Sequence, residues 1–132
     1  MILFEYTTKI YYRDIDQMGV VYYTRYLEYF EAARTEMLKS IGLIVTDIEN
    51  EGFFLPVVSA HCDYKQSAKF EDEIIVRTSI NEMPKARMKI EYDVLKNETV
   101  LATGYTLHGF TDHNGKAKRP PKSFQLVMQK YF

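Results

Sequence analysis

Residues 23–41, YTRYLEYFEAARTEMLKSI, carry the strongest fold signal in the chain. Tyr23, Tyr26, Leu27, Phe30, Ala33, Met37, Leu38 and Ile41 recur at spacings of three and four, which lays one broad apolar stripe along an α-helix. Thr24 suits the N-cap and Gly42 the stop. Ala32 and Ala33 are small enough to admit another backbone. The spacing therefore predicts a helix over 23–41, and no other segment of similar length shares its period.

Immediately upstream stands Tyr12-Arg13-Asp14-Ile15-Asp16-Gln17-Met18-Gly19-Val20-Val21-Tyr22-Tyr23. Two carboxylates and a glycine precede the helix start, where backbone N–H groups lack intrahelical partners and carry the positive end of the helix dipole. Carboxylate and donors converge on one small volume. Such a pair suits attack on a carbonyl: the acid activates water or attacks directly, and the donors hold the developing oxyanion. Gly19 provides close backbone approach or a positive φ. Asp16 can also be read as a plain helix-start cap. Asp14 either tunes Asp16 by like-charge repulsion or ends a strand in solvent. A DxD pair can hold a divalent cation, but nucleotide-sugar chemistry needs a larger fold, and the site is read as metal-free.

The remaining segments alternate with period two. Phe4 to Tyr12, Leu55 to Tyr64, Glu73 to Ile80, Met88 to Val94 and Val100 to Thr111 read as strands. Lys96-Asn97-Glu98 and Asn114-Gly115 are turns, and Pro120-Pro121 precedes an apolar tail from Phe124 that is compatible with a helix. The order is strand, long helix, then four strands. The economical arrangement is α+β, one antiparallel sheet curled around a single helix, with excess apolar surface on its outer face that predicts self-association.

Length favours one domain, 1–132, with a core that needs no staples. A formal net charge of −1 offers no general attraction to nucleic acid or anionic membrane. One cysteine excludes an internal disulfide framework and suits a reducing, cytoplasmic setting. No apolar run reaches membrane-spanning length, and Met1-Ile2-Leu3-Phe4-Glu5 is interrupted too early for a secretory signal.

Several segments together resemble the hotdog-fold acyl-CoA thioesterases, in particular the 4-hydroxybenzoyl-CoA thioesterase family and its YbgC-type members. They are Asp14-x-Asp16-x-x-Gly19-Val20-Val21-Tyr22-x-x-x-Tyr26, Phe30-Glu31-x-Ala33-Arg34-x-Glu36, Phe54-Leu55-Pro56-Val57-Val58, Ala68-Lys69-Phe70-Glu71-Asp72 and Gly115…Arg119-Pro120-Pro121. The resemblance implies a helix wrapped by a sheet, and dimers or tetramers with sites between subunits. It also implies hydrolysis of an acyl-CoA thioester without metal or organic cofactor. It places the catalytic carboxylate at Asp16 and the carbonyl-polarising N–H at Tyr23. Gly19, Val20 and Tyr22 fall against the substrate, and Lys85 and Arg87 in the region of phosphate contacts. YbgC-type members usually carry histidine where this chain has Tyr23, whereas the 4-hydroxybenzoyl type carries an aromatic residue.

Other polar residues have simpler readings. Glu31 and Arg34, three apart on the helix, suit a surface salt bridge, although the family motif includes Glu31. His61 and Cys62 are neighbours on a strand, point to opposite faces and cannot pair, which leaves a buried thiol. His108 and His113 lack metal-ligand spacing. Lys116, Lys118, Arg119 and Lys122 join Lys85 and Arg87 as charged turn edges or as a rim for coenzyme A phosphates. Two further functions fit the fold: a non-catalytic acyl-thioester-binding module, which would not need Asp16, and a dehydratase, which would need a helix histidine that is missing.

Overall fold

The computed structural model describes residues 1–132. Its strands are β1 (Ile2–Lys9), β2 (Val57–Tyr64), β3 (Glu73–Ile80), β4 (Met88–Lys96) and β5 (Thr99–His108). Its helices are α1 (Arg25–Ser40), α2 (Val45–Asn50) and α3 (Lys122–Gln129). The five strands form one antiparallel sheet in the order β1-β3-β4-β5-β2. β3, β4 and β5 are a meander, and α1 connects the strands at the two opposite edges. It is the α+β hotdog arrangement, a sheet wrapped around one long helix.

Register shows which side chains face that helix. Tyr6, Val76, Val94, Ala102 and Tyr64 form one row across the inner face, and Phe4, Thr78, Tyr92, Gly104 and Cys62 form the next. Phe30 of α1 stacks flat on Tyr92 at 4.2 Å between ring centroids. Gly104 makes room for it: a Cβ there would stand 2.8 Å from the Phe30 ring and 2.3 Å from the His61 carbonyl oxygen. The apolar stripe of α1 is otherwise buried through Tyr26, Phe30, Ala33, Met37 and Leu38 in one continuous core. Gly42, at φ +88°, ends the helix while the Leu43 N–H bonds the Leu38 carbonyl at 2.8 Å.

The outer face departs from expectation. Glu5, Arg77, Asp93, Thr103 and Asp63 lie in one row across it, with ion pairs from Arg77 to Glu5 (3.2 Å) and Lys89 to Glu91 (3.8 Å). It is polar, not an apolar excess. Exposed apolar side chains gather instead at the α1 start and on the β2 edge, among them Tyr22, Tyr23, Leu27, Val57, Val58 and Tyr64.

Boundaries differ where side chains redirect the backbone. β1 ends at Lys9 rather than Tyr12, because the Asp14 carboxylate accepts the Tyr11 N–H at 2.8 Å and draws residues 12–14 into a 3₁₀ turn. The region after Gly42 forms the short helix α2, which periodicity did not reveal in six residues. Thr24 already has helical dihedrals and its side chain caps nothing, so the expected N-cap is absent.

Candidate active site

The segment before α1 folds back on itself. Asp16 N–H bonds Val20 O (2.9 Å), Gly19 N–H bonds Asp16 O (3.0 Å), and Ile15 bridges Val21. Gly19 turns at φ +78° with open space around its Cβ position, so the reason for glycine is the backbone angle and not close approach. Val21 N–H bonds Ala68 O at 2.9 Å, which docks the loop on the turn after β2.

The two carboxylates part company here. Asp14 is only 5% exposed, so it does not end a strand in solvent. Its charge lies near the Tyr29 phenol, whose hydroxyl is buried without a partner. Burial, then Asp14, push that phenol well above its usual range. Asp16 is half-buried: Oδ1 accepts the Met18 N–H at 2.8 Å, and Oδ2 has no partner within the chain.

The backbone N–H groups before the helix differ in their partners. Tyr22 N–H is taken by Asp14 O (2.9 Å), and Tyr22 O accepts the Arg25 N–H (2.9 Å), whereas Tyr23 N–H has no acceptor in the chain. Asp16, Val20, Tyr22 and Tyr23 line one open cleft of about 300 Å³, joined by Tyr26, Tyr64 and residues 65–67. Asp16, with one carboxylate oxygen unpartnered, and Tyr23, with its backbone N–H unpartnered, both line this cleft. Groups of these two kinds can serve as a base or nucleophile and as an anion donor.

Lys85 and Arg87 are not brought to it. Lys85 rims another cavity, of about 610 Å³, with Lys118 and Arg119 over a floor that includes Phe110 and Phe124; Arg87 does not line it. The cleft adjoins the Tyr64–Ala102 end of the β2–β5 pair, and the cationic cavity lies beyond its Val57–His108 end. Glu31 and Arg34 form no salt bridge within 4.0 Å. Instead both border a third cavity of about 340 Å³ beneath α1 and α2. Arg34 acts electrostatically on Tyr92 and His108. His108 is enclosed: Nδ1 donates to Leu55 O (3.1 Å), and Nε2 meets Thr106 Oγ1 (2.8 Å), itself 2.6 Å from the Tyr92 hydroxyl. A carbonyl can only accept, which sets the tautomer. Burial pushes the His108 pKa down. His61 pairs with Asp63 at 3.0 Å on the outer face, opposite Cys62, whose thiol burial pushes up.

Comparison with known proteins gives the family of the chain. A family model described as the thioesterase-like superfamily matches residues 11–128, which include both the loop and the helix. The chain belongs to the thioesterase-like superfamily. Within that superfamily it is similar to the Haemophilus influenzae protein named acyl-CoA thioesterase YbgC, 34% identical over 75% of this chain and 74% of the relative. A crystal structure of a probable thioesterase from Bartonella henselae is 29% identical with a TM-score of 0.84, covering 90% of this chain and 99% of that one. The Staphylococcus aureus DHNA-CoA thioesterase superposes at a TM-score of 0.93 over 99% of this chain and 91% of its own, and at 24% identity it speaks for the fold alone.

Sequence reasoning missed Tyr26, Tyr64 and the 65–67 segment as cleft walls. Alternation shows that Tyr64 belongs to a strand, but only the pairing of β2 at the sheet edge brings it beside Tyr23.

Proposed function

We propose that this chain, as one domain over 1–132, hydrolyses acyl-CoA thioesters to the free acid and coenzyme A. The observation that supports this most directly is the shared cleft of the Asp16 carboxylate and the unpartnered Tyr23 N–H. Asp16 takes a proton from water, the hydroxide attacks the thioester carbon, and the oxyanion rests on the Tyr23 N–H. Collapse of this intermediate breaks the C–S bond, and the thiolate leaves and is protonated to free coenzyme A. In the alternative route Asp16 attacks directly, expels the thiolate and forms a mixed anhydride that water then hydrolyses. Thiolate is a good leaving group, so neither route demands a strong general acid. Val20 and Tyr22 wall the substrate, and Gly19 shapes the turn that presents Asp16.

The working unit in this reading is a dimer or tetramer in the cytoplasm, where a lone cysteine is at home. β2 is an uncapped edge strand with exposed valines, and edge strands invite pairing. Antiparallel pairing of two β2 edges about a two-fold axis sets the Val57 end of one chain beside the Tyr64 end of the other. Lys85, Lys118 and Arg119 of one subunit then approach the cleft of its neighbour, where cations suit coenzyme A phosphates. Arg87 is a weaker candidate for the same role.

Thiol release from a panel of aliphatic and aromatic acyl-CoAs tests the reading. Turnover of at least one class is expected. A panel bound but never cleaved would favour the non-catalytic module.

A further inference from the structure

We propose that Tyr64 is a positioning residue, holding the first turn of α1 so that the Tyr23 N–H stays aimed into the cleft. The inference rests on the reading of that N–H as the oxyanion donor. Tyr64 ends β2 on the inner face of the sheet, in register with Ala102 of β5. Its hydroxyl donates to the Tyr23 carbonyl oxygen at 3.0 Å. The helix's own bond to that carbonyl, from the Tyr26 N–H, is long at 3.4 Å. Tyr64 is therefore the tighter partner of Tyr23 O, and it comes from a sheet edge and not from the helix.

The ring reinforces the tether, meeting Tyr23 and Tyr26 edge-on with centroids 6.3 and 5.3 Å apart. Thr24 contributes no side-chain cap, so nothing on its own side chain steadies this turn. The preceding residue is anchored at both its backbone groups, Tyr22 N–H to Asp14 O and Arg25 N–H to Tyr22 O, and the second bond holds the peptide that carries the Tyr23 N–H. Tyr64 supplies the matching hold on the Tyr23 carbonyl. Desolvation at the cleft wall, with Cys62 next in effect, pushes its phenol up to about 12, so the hydroxyl keeps its proton at neutral pH. A donor fixed before the oxyanion forms needs no reorganisation during the reaction, and its effect belongs to the transition state more than to substrate binding.

Tyr64→Phe keeps the ring and removes only the tether, so wild-type and variant should be compared on the best acyl-CoA substrate. The loss of one tether should show as a kcat fall between about three- and tenfold, a barrier change of ~0.65–1.4 kcal/mol, with KM changed less than twofold. Amide exchange at Tyr26 and Leu27 should quicken in the variant while the sheet amides keep their protection. A kcat loss below threefold, or a loss carried by KM, would overturn the assignment. Failure of the function reading looks different: the wild-type chain would then cleave no acyl-CoA.

Discussion

Asp14 and Asp16 stand two residues apart and meet different surroundings, because the backbone turns between them from a 3₁₀ turn into a tight loop. Asp14 is spent on the Tyr11 N–H, and Asp16 keeps one oxygen free at the cleft. The sequence made Asp16 a candidate through its place before a helix, but it left Asp14 open, since burial depends on contacts with distant residues. His108 shows the same limit. Its spacing spoke against a metal, yet nothing local indicated the enclosed chain through Thr106 to Tyr92. Burial holds its folded pKa below the ordinary 6.5, and the nearby Arg34 adds to that. The unfolded chain therefore binds a proton first as pH falls. Stability from this group is complete above pH 6.5 and is lost between there and the lower folded pKa. Thermal midpoints measured across pH 5–8 should drop on the acid side, and His108→Gln should flatten that drop. An unchanged slope in the variant would assign the acid sensitivity elsewhere.

At the level of elements, α1 was legible from its period because its core contacts lie on one stripe. Tyr23 and Leu27 belong to that stripe by spacing but are exposed, and Tyr23 lines the cleft beside Tyr64. Strand alternation located all five strands, and their ends shifted where Asp14 bent the backbone or where Pro56 preceded the pairing of β2. α2 is too short for a helical period to stand out. The contact between helix and sheet depends on Gly104, which a propensity argument does not single out within β5. Gly104→Ala would push a Cβ to 2.3 Å from the His61 carbonyl oxygen and into the Phe30 ring. Overpacking of that kind should cost about 1–3 kcal/mol, a fall of roughly 4–12 °C in midpoint. Calorimetry showing a loss of less than about 1 kcal/mol would mean that β2 and α1 yield more easily than their packing implies.

For the whole molecule, self-association is proposed from the β2 edge and not from the outer face of the sheet. The outer face of the sheet carries a charged row with ion pairs, and several exposed apolar side chains, Tyr22, Tyr23, Val57, Val58 and Tyr64 among them, lie along β2 and around the cleft. That distribution follows from register, which composition does not contain. Sedimentation at micromolar concentration should give a dimer or tetramer, and a monomer would separate the cationic cavity from any cleft that it could serve. The central claim is that the Asp16 carboxylate drives thioester cleavage. It is tested most directly by kcat/KM for thiol release in wild-type and Asp16→Asn. Asparagine can still accept the Met18 N–H, so the midpoint should stay within about 3 °C while the rate falls by about 10²–10⁴-fold. A folded Asp16→Asn variant that retains more than about a tenth of the wild-type rate, a barrier change below ~1.4 kcal/mol, would contradict the account.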